Sequence, residues 1–330
     1  MTLGAEDIVE QRRLRRKLVF WRVLGVAAFL VAVVVAGLLA VGPDNVGARS
    51  RPHVARISIN GFIAEDRAQI ELIERLARTD AVRAVIVSID SGGGATVGGE
   101  ALYNALRALS ARKPTVASIK TLGASAAYMS AIATDRIFAY RSSITGSIGV
   151  LFQSPEISEA MAKLGIRLTE VKSSPLKAAP SPFQPASPEA LAVIQSLIDD
   201  SYGWFVDMVA ERRHLDRPTA LRLADGRVYS GQQAKAVGLI DAIGGENEAR
   251  DWLSREKGVD AAIDTLDWEK ERPARGFSFA DAAVRFIARQ LGFDGNIADS
   301  TPALLRGLKL DGLLSVWQAP TGLNAGEAER

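Results

Sequence analysis

From His53 onward the apolar positions fall into short blocks of two alternating kinds. VARISI (54–59), AVIVSID (84–90), TVASIK (115–120) and RIFAY (136–140) read as strands. The second is apolar almost throughout, as in a strand buried on both faces. Between them, AQIELIERLART (68–79) and EALYNALRALSAR (100–112) place apolar residues at helical spacing, and a further helix begins near Ser125. Strand and helix alternating at this pace predict crossover units, hence a largely parallel α/β sheet with helices packed on it. Sites in such sheets form at the carboxyl ends of strands. Two stretches fall there, DSGGG (90–94) and TLGAS (121–125). Further along, Ser187 is placed to cap, and Pro188 to open, a long helix reaching His214. Its Tyr202, Trp204 and Phe205 read as core or subunit contacts.

The N-terminal pattern is different. RRLRRK (12–17) stands before the apolar stretch 18–42, whose part after Arg22 carries no charge. That part is about twenty residues, the length needed to cross a bilayer. A cleaved signal peptide would have a shorter apolar region and a small-residue cleavage site after it. The expectation is therefore an uncleaved single-pass anchor over 18–42. A buried core helix is disfavoured by the basic cluster directly in front, which places the tail 1–17 in the cytoplasm. Arg22 would then snorkel toward that side. PDNVGARSRP (43–52) reads as a linker, and everything beyond it is expected across the membrane.

Composition narrows the chemistry. Of 330 residues, 48% are apolar and 24% charged, so most of the chain should fold. The absence of cysteine excludes disulfides, a thiol nucleophile and cysteine-ligated metal. No metal or cofactor motif is present. A net charge of +2 with scattered signs gives no footprint for nucleic acid.

The glycines Gly92, Gly93 and Gly94 could in principle cradle phosphate. The chain has no GxxxxGK[ST], and Val97 stands where G-x-G-x-x-G needs its third glycine. Two uses remain open: a tight turn needing positive φ, or backbone N–H groups aimed at a developing oxyanion. Ser125 is open in the same way, as a nucleophile or as a small residue that lets a helix pack closely. A serine nucleophile needs a base. The only histidines are His53, at the domain entrance, and His214, at the polar end of the long helix. GASAA is not the G-x-S-x-G elbow either, so a Ser-His-Asp triad is disfavoured. A lysine held neutral is the remaining base. At an intrinsic pKa near 10.4, only about one lysine in 2,500 is neutral at pH 7, so the group must be buried or sit near another cation. EVKSSPLKAAPSPFQPASPE (170–189) offers Lys172, at the end of a strand-like pattern, and Lys177, flanked by Leu176, Ala178 and Ala179. The apolar flanks favour Lys177 slightly.

Taken together, DSGGG (90–94), GASAAYM around Ser125, TGSIGV (145–150) and VKSSPLKAAPSPFQPASPE (171–189) resemble, in order, the signal peptide peptidase A or protease IV family of membrane-bound Ser-Lys peptidases, in its short bacterial form. GRVYSGQQAKAVGLIDAIGG (226–245) resembles the family's closing segment. The resemblance implies Ser125 as nucleophile and Lys177 as general base. It also implies an oxyanion hole from the N–H groups of Gly94 and Ser125, with Gly93 as a further candidate. The implied fold is the Clp-protease and crotonase-like superhelix of β-β-α units. Members assemble as rings, with composite sites in the short forms. Two departures stand out: Gly92 replaces the family's proline, and Ala126-Ala127 replace the glycines that usually follow the nucleophile.

The expected organisation is a tail (1–17), anchor (18–42), linker (43–52), peptidase domain (53–254) and C-terminal extension (255–330). Within the extension, FSFADAAVRFIARQLGF (277–293) has helical amphipathicity and NAGEAER closes the chain as a solvated end. The expected activity is hydrolysis of peptides near a bacterial inner membrane, signal peptide remnants and other small apolar peptides, by an extracytoplasmic domain. A non-catalytic crotonase-like scaffold on the same fold is the alternative, since fold does not fix function.

Overall fold

The computed structural model describes residues 17–18, 20–28, 48–270 and, as backbone, 314–316. The chain divides into two units, Met1–Pro52 and His53–Arg330, at the point where the expected linker ends. In the first unit, residues 17–18 and 20–28 are helical and Ala48–Ser50 form a 3-10 turn. Among the described residues no helix is long and apolar enough to cross a membrane. Most of the expected span, and the amphipathic stretch 277–293, lie outside the described residues.

The second unit begins with the expected alternation: β1 (His53–Ile63), α1 (Arg67–Arg78), β2 (Val82–Ala95), α2 (Thr96–Ser110), β3 (Thr115–Ala124), α3 (Ala126–Ile132) and β4 (Arg136–Ala139). It continues through β5 (Ile144–Gly146), α4 (Ser158–Lys163), α5 (Pro188–Arg213), α6 (Arg217–Leu223), β6 (Val228–Ser230), α7 (Gly231–Ala236), β7 (Ala242–Ile243), α8 (Glu246–Lys257), β8 (Thr265–Asp267) and β9 (Leu314–Val316). The strands form one mixed sheet in the order β6-β5-β3-β2-β1-β8, with β4 between β3 and β7, and β9 on β2. Pairing is parallel except for β5 with β6 and β2 with β9.

Local chemistry explains the helices. Asp66 caps α1 by accepting the Gln69 N–H, and its buried stripe of Leu72, Ile73 and Leu76 faces the sheet. Each such side chain contributes about 1.5–3 kcal/mol on burial. Ser187 caps α5 through the Ala190 N–H, and Pro188 follows it, as the sequence predicts. Phe205 is fully buried and the Tyr202 hydroxyl donates to the Ala224 carbonyl, so both serve the core. His214 ends α5 in the left-handed region at φ 54°. One core cluster lies among β1–β3 and helices α1, α2, α3 and α5. A second joins Val54, Ala84, Ile86, Val116 and Phe138 to Ala249 and Leu253 of α8, covering the other face.

The sheet does not stop at residue 254. β8 pairs with β1, and the Arg56 guanidinium holds Asp267 through two hydrogen bonds, at 2.5 and 2.7 Å, while reaching Glu246 of α8 at 2.8 Å. The end of the folded unit thus lies past the expected boundary. The hydrogen bond from Arg56 holds the Asp267 carboxyl below its ordinary range. A lowered folded-state pKa contributes stability that is complete above the unfolded value, about 3.9, and is lost as the pH falls through the folded value. Asp267→Asn should therefore melt below wild type at pH 7, and the gap should close as the pH is taken below about 4. Melting curves across that range check this; a gap independent of pH would remove Asp267 from the acid limb.

Candidate active site

The site grows from a divergence of strands. β3 pairs with β4 over residues 116–119, then with β5 over 122–124, while its β2 side is paired only as far as Ser91 opposite Gly123. Beyond that point β2 runs on through Gly93, Gly94 and Ala95, and β3 turns directly into α3. Ser125 is the hinge of that turn, at φ 58° and ψ −121°. A non-glycine residue there is strained by about 1–3 kcal/mol. Its N–H donates to the Gly146 carbonyl at 2.8 Å and its carbonyl accepts the Met129 N–H at 3.0 Å. Ser125 is buried, at 1% exposure, and every residue of α3 is buried with it.

The two readings of GASAA now separate. Close packing belongs to its neighbours: a Cβ on Gly99 of α2 would meet the Ala126 Cβ and the Met129 Sδ at 2.9 Å. Packing gives Ser125 no reason for its left-handed backbone. Backbone strain of this kind clusters at functional sites, which makes Ser125 a candidate for one.

The glycines serve structure directly. Gly93 has φ 105°, and its N–H donates to the Ser91 hydroxyl, which in turn donates to the Gly61 carbonyl. A Cβ on Gly94 would stand 2.0 Å from the Ile63 carbonyl oxygen of β1, so no side chain fits there without moving the strand. The turn-and-packing role is therefore real at both positions. The donors assigned to an oxyanion hole are partly engaged within the chain, since the Ser125 N–H bonds Gly146 and the Gly93 N–H bonds Ser91.

The lysines differ from Ser125 in exposure. Residues 164–187 run without a strand, including the stretch before Lys172. Lys172 is ion-paired with Glu170 at 2.6 Å, and Lys177 is exposed. The single chain thus keeps the serine buried and Lys177 in solvent. His53 is buried, and its Nε2 accepts the Trp268 indole N–H at 3.1 Å, a structural role. Sequence reasoning missed Ser147, buried with φ 49° directly after Gly146 at φ 83°. The peptide between these two is tied at both ends, its carbonyl accepting from Ser125 and its N–H donating to the Arg227 carbonyl at 2.8 Å. The G-S-I-G sequence carried that signal. The Tyr128 phenol is pushed up by burial and donates to the Leu239 carbonyl, so it is a core group.

Residues 107–260 match the profile of peptidase family S49. The chain is 34% identical over 247 residues to a Synechocystis sp. protein that carries a provisional protease name, covering 74% of this chain and 89% of that one. The chain belongs to peptidase family S49. This is the signal peptide peptidase A and protease IV family that the motifs resembled. Protease 4 of Haemophilus influenzae is 30% identical over 263 residues, covering 76% of this chain and 41% of its own length. A chloroplastic serine protease of the same family in Arabidopsis thaliana is 30% identical over 183 residues, covering 54% and 27%. Like them, the S49 chain described here is a serine peptidase, which sets aside the non-catalytic scaffold.

The strain at Ser125 is measurable apart from activity. Glycine tolerates a positive φ and alanine does not, so Ser125→Gly should be more stable than Ser125→Ala by about 1 kcal/mol. Equilibrium unfolding of the two variants checks it, and equal stabilities would remove the strain.

Proposed function

We propose that Ser125 is the nucleophile and Lys177 of a neighbouring copy its general base, in a membrane-anchored peptidase that cleaves small apolar peptides, signal peptide remnants among them. The observation carrying this reading is the buried, left-handed Ser125 set against an exposed Lys177. A lysine becomes a base only where burial or charge removes its proton, and a second copy covering the segment would supply that burial. The segment is suited to being covered. Ile157, Leu164, Ile166, Leu168, Val171 and Leu176 are all exposed apolar side chains on it. Leu191, Val193 and Leu197 extend the exposed apolar surface along the start of α5. A patch of this kind marks an interface more often than a solvated face. A ring of copies, on the Clp-protease and crotonase-like plan, closes such a head-to-tail contact.

In the proposed chemistry the Ser125 hydroxyl attacks the peptide carbonyl as neutral Lys177 takes its proton. The ammonium then returns the proton to the leaving amine, and water releases the acyl group. Gly94 and Ser125 would offer N–H groups to the oxyanion. For Ser125 to do so, the Gly146–Ser147 peptide has to rotate and release its bond to Arg227. Both of its residues already hold positive φ, the backbone region from which such a turn starts. Anchoring is supported by the basic cluster before the apolar stretch 18–42, and by Phe20, Trp21, Val23, Leu24 and Val26, exposed on the helical residues 20–28.

Peptide hydrolysis should rise toward alkaline pH, because the free enzyme needs an unprotonated lysine. Lys177→Ala should lower turnover by at least about 100-fold, and Lys172→Ala should leave most of it. An essential Lys172 and a dispensable Lys177 would reverse the assignment. For topology, a reporter active only outside the cytoplasm, fused after Arg330, should give signal; a silent fusion of normal abundance would place the domain in the cytoplasm.

A further inference from the structure

β3 changes partners on its way to the serine. Its register with β2 passes from Ile119 opposite Ile89 straight to Gly123 opposite Ser91, so the single residue Asp90 stands against Lys120, Thr121 and Leu122. On its other side β3 leaves β4 after Ile119 and meets β5 at Leu122. A strand that carries extra residues against its neighbour bulges there, and bulges beside active sites re-aim a side chain. Ser125 lies three residues past Leu122.

Backbone groups that leave a ladder inside a folded sheet need other partners. Side chains supply them here in succession. The Ser143 hydroxyl, which accepts the Tyr140 N–H at 3.0 Å, donates to the Lys120 carbonyl. Asp90 Oδ1 accepts the Leu122 N–H at 3.1 Å. The Thr145 hydroxyl donates to the Gly123 carbonyl at 2.7 Å. Ser143 and Thr145 act from the β5 side, whereas Asp90 reaches across from β2, one residue before the Ser91 hydroxyl that bonds the Gly61 carbonyl of β1. The Asp90 bond therefore joins the strand that carries the glycines to the strand that ends in Ser125, at the point where the two diverge.

We propose that Asp90 is a positioning residue for the peptidase reaction: its carboxylate fixes the exit of β3 and, through it, the place of the Ser125 side chain relative to the glycine strand. The proposal rests on the reading of Ser125 as nucleophile. An acceptor oxygen at that reach is what the role requires, since the partner is a neutral backbone N–H. A misplacement of about 1 Å at a reacting atom costs on the order of 100-fold in rate. The β5 pairing and the Ser125–Gly146 bond remain when Asp90 is truncated, so the displacement and the loss should be smaller than that. The effect falls on the chemical step, which lowers kcat and kcat/KM together and leaves KM in place.

The test uses the full chain. Asp90→Ala should lower kcat for a short apolar peptide by at least about tenfold at unchanged KM, and slow acylation by a serine-directed probe by the same factor. Asp90→Asn, which keeps an acceptor oxygen without the charge, should restore both to within about twofold of wild type. Amide hydrogen exchange over residues 120–124 should quicken in Asp90→Ala and return to the wild-type rate in Asp90→Asn. If Asp90→Ala does not fold, Asp90→Ser, polar but one bond shorter, carries the same expectations. A wild-type kcat or wild-type exchange in the truncated variant, a change confined to KM, or a loss in Asp90→Asn as large as in Asp90→Ala would each overturn the proposal. Ser125→Ala, assayed alongside, separates the two claims. Activity retained there refutes the nucleophile, whereas activity lost there with a wild-type kcat in Asp90→Ala refutes the positioning role alone.

Discussion

The hydrogen bond from the Ser125 N–H to the Gly146 carbonyl is the tie on which the site depends. β3 passes into α3 with a single residue between them, and that residue holds a backbone region that L-amino acids avoid. Such a turn survives only where its surroundings overdetermine it. Here α3 is buried along its whole length, Gly99 admits it closely, and β5 offers the carbonyl that holds the turn's N–H. β5 is itself held by β6 through an antiparallel pairing that includes Tyr229, and a Cβ on Gly146 would meet that ring at 2.6 Å. Residues 228–230 thus help fix the position of the serine from some hundred residues away.

The same divergence that frees Ser125 from the sheet leaves the glycine edge of β2 to be paired by β9. Parallel strands splay at their carboxyl ends, and ligands bind in the crevice that results. Gly94 shows how tightly the crevice is drawn, because the backbone of Ile63 occupies the place of a side chain. Gly94 is therefore a packing necessity, buried and paired on both edges.

What was legible in the sequence is what has period. The alternation from VARISI to RIFAY, the apolar run of β2 and the Ser187-Pro188 start of α5 were readable because burial and capping are local demands. Asp267 and Trp268 were not, since a three-residue strand has no periodicity and its partner Arg56 lies 211 residues away. The clash that makes Gly94 obligatory depends on Ile63, thirty-one positions earlier, and no pattern within DSGGG announces it. Ser147 was quoted within a motif, yet its positive φ is set by the Arg227 carbonyl. Lys177 was favoured by its flanks, of which Leu176 and Ala178 are exposed in a single chain.

That last mismatch makes the central claim a claim about two copies: a strained serine from one and a lysine from the next. It is open to complementation. Chains carrying Ser125→Ala keep the lysine, chains carrying Lys177→Ala keep the serine, and each alone should be inactive. Unfolded together and refolded as mixed assemblies, they should regain activity, approaching about a quarter of the wild-type sites if neighbours combine at random around a ring. Mixed assemblies that stay inactive, with both chains shown to be present in the same particle, would contradict the shared site and require serine and base to come from one chain.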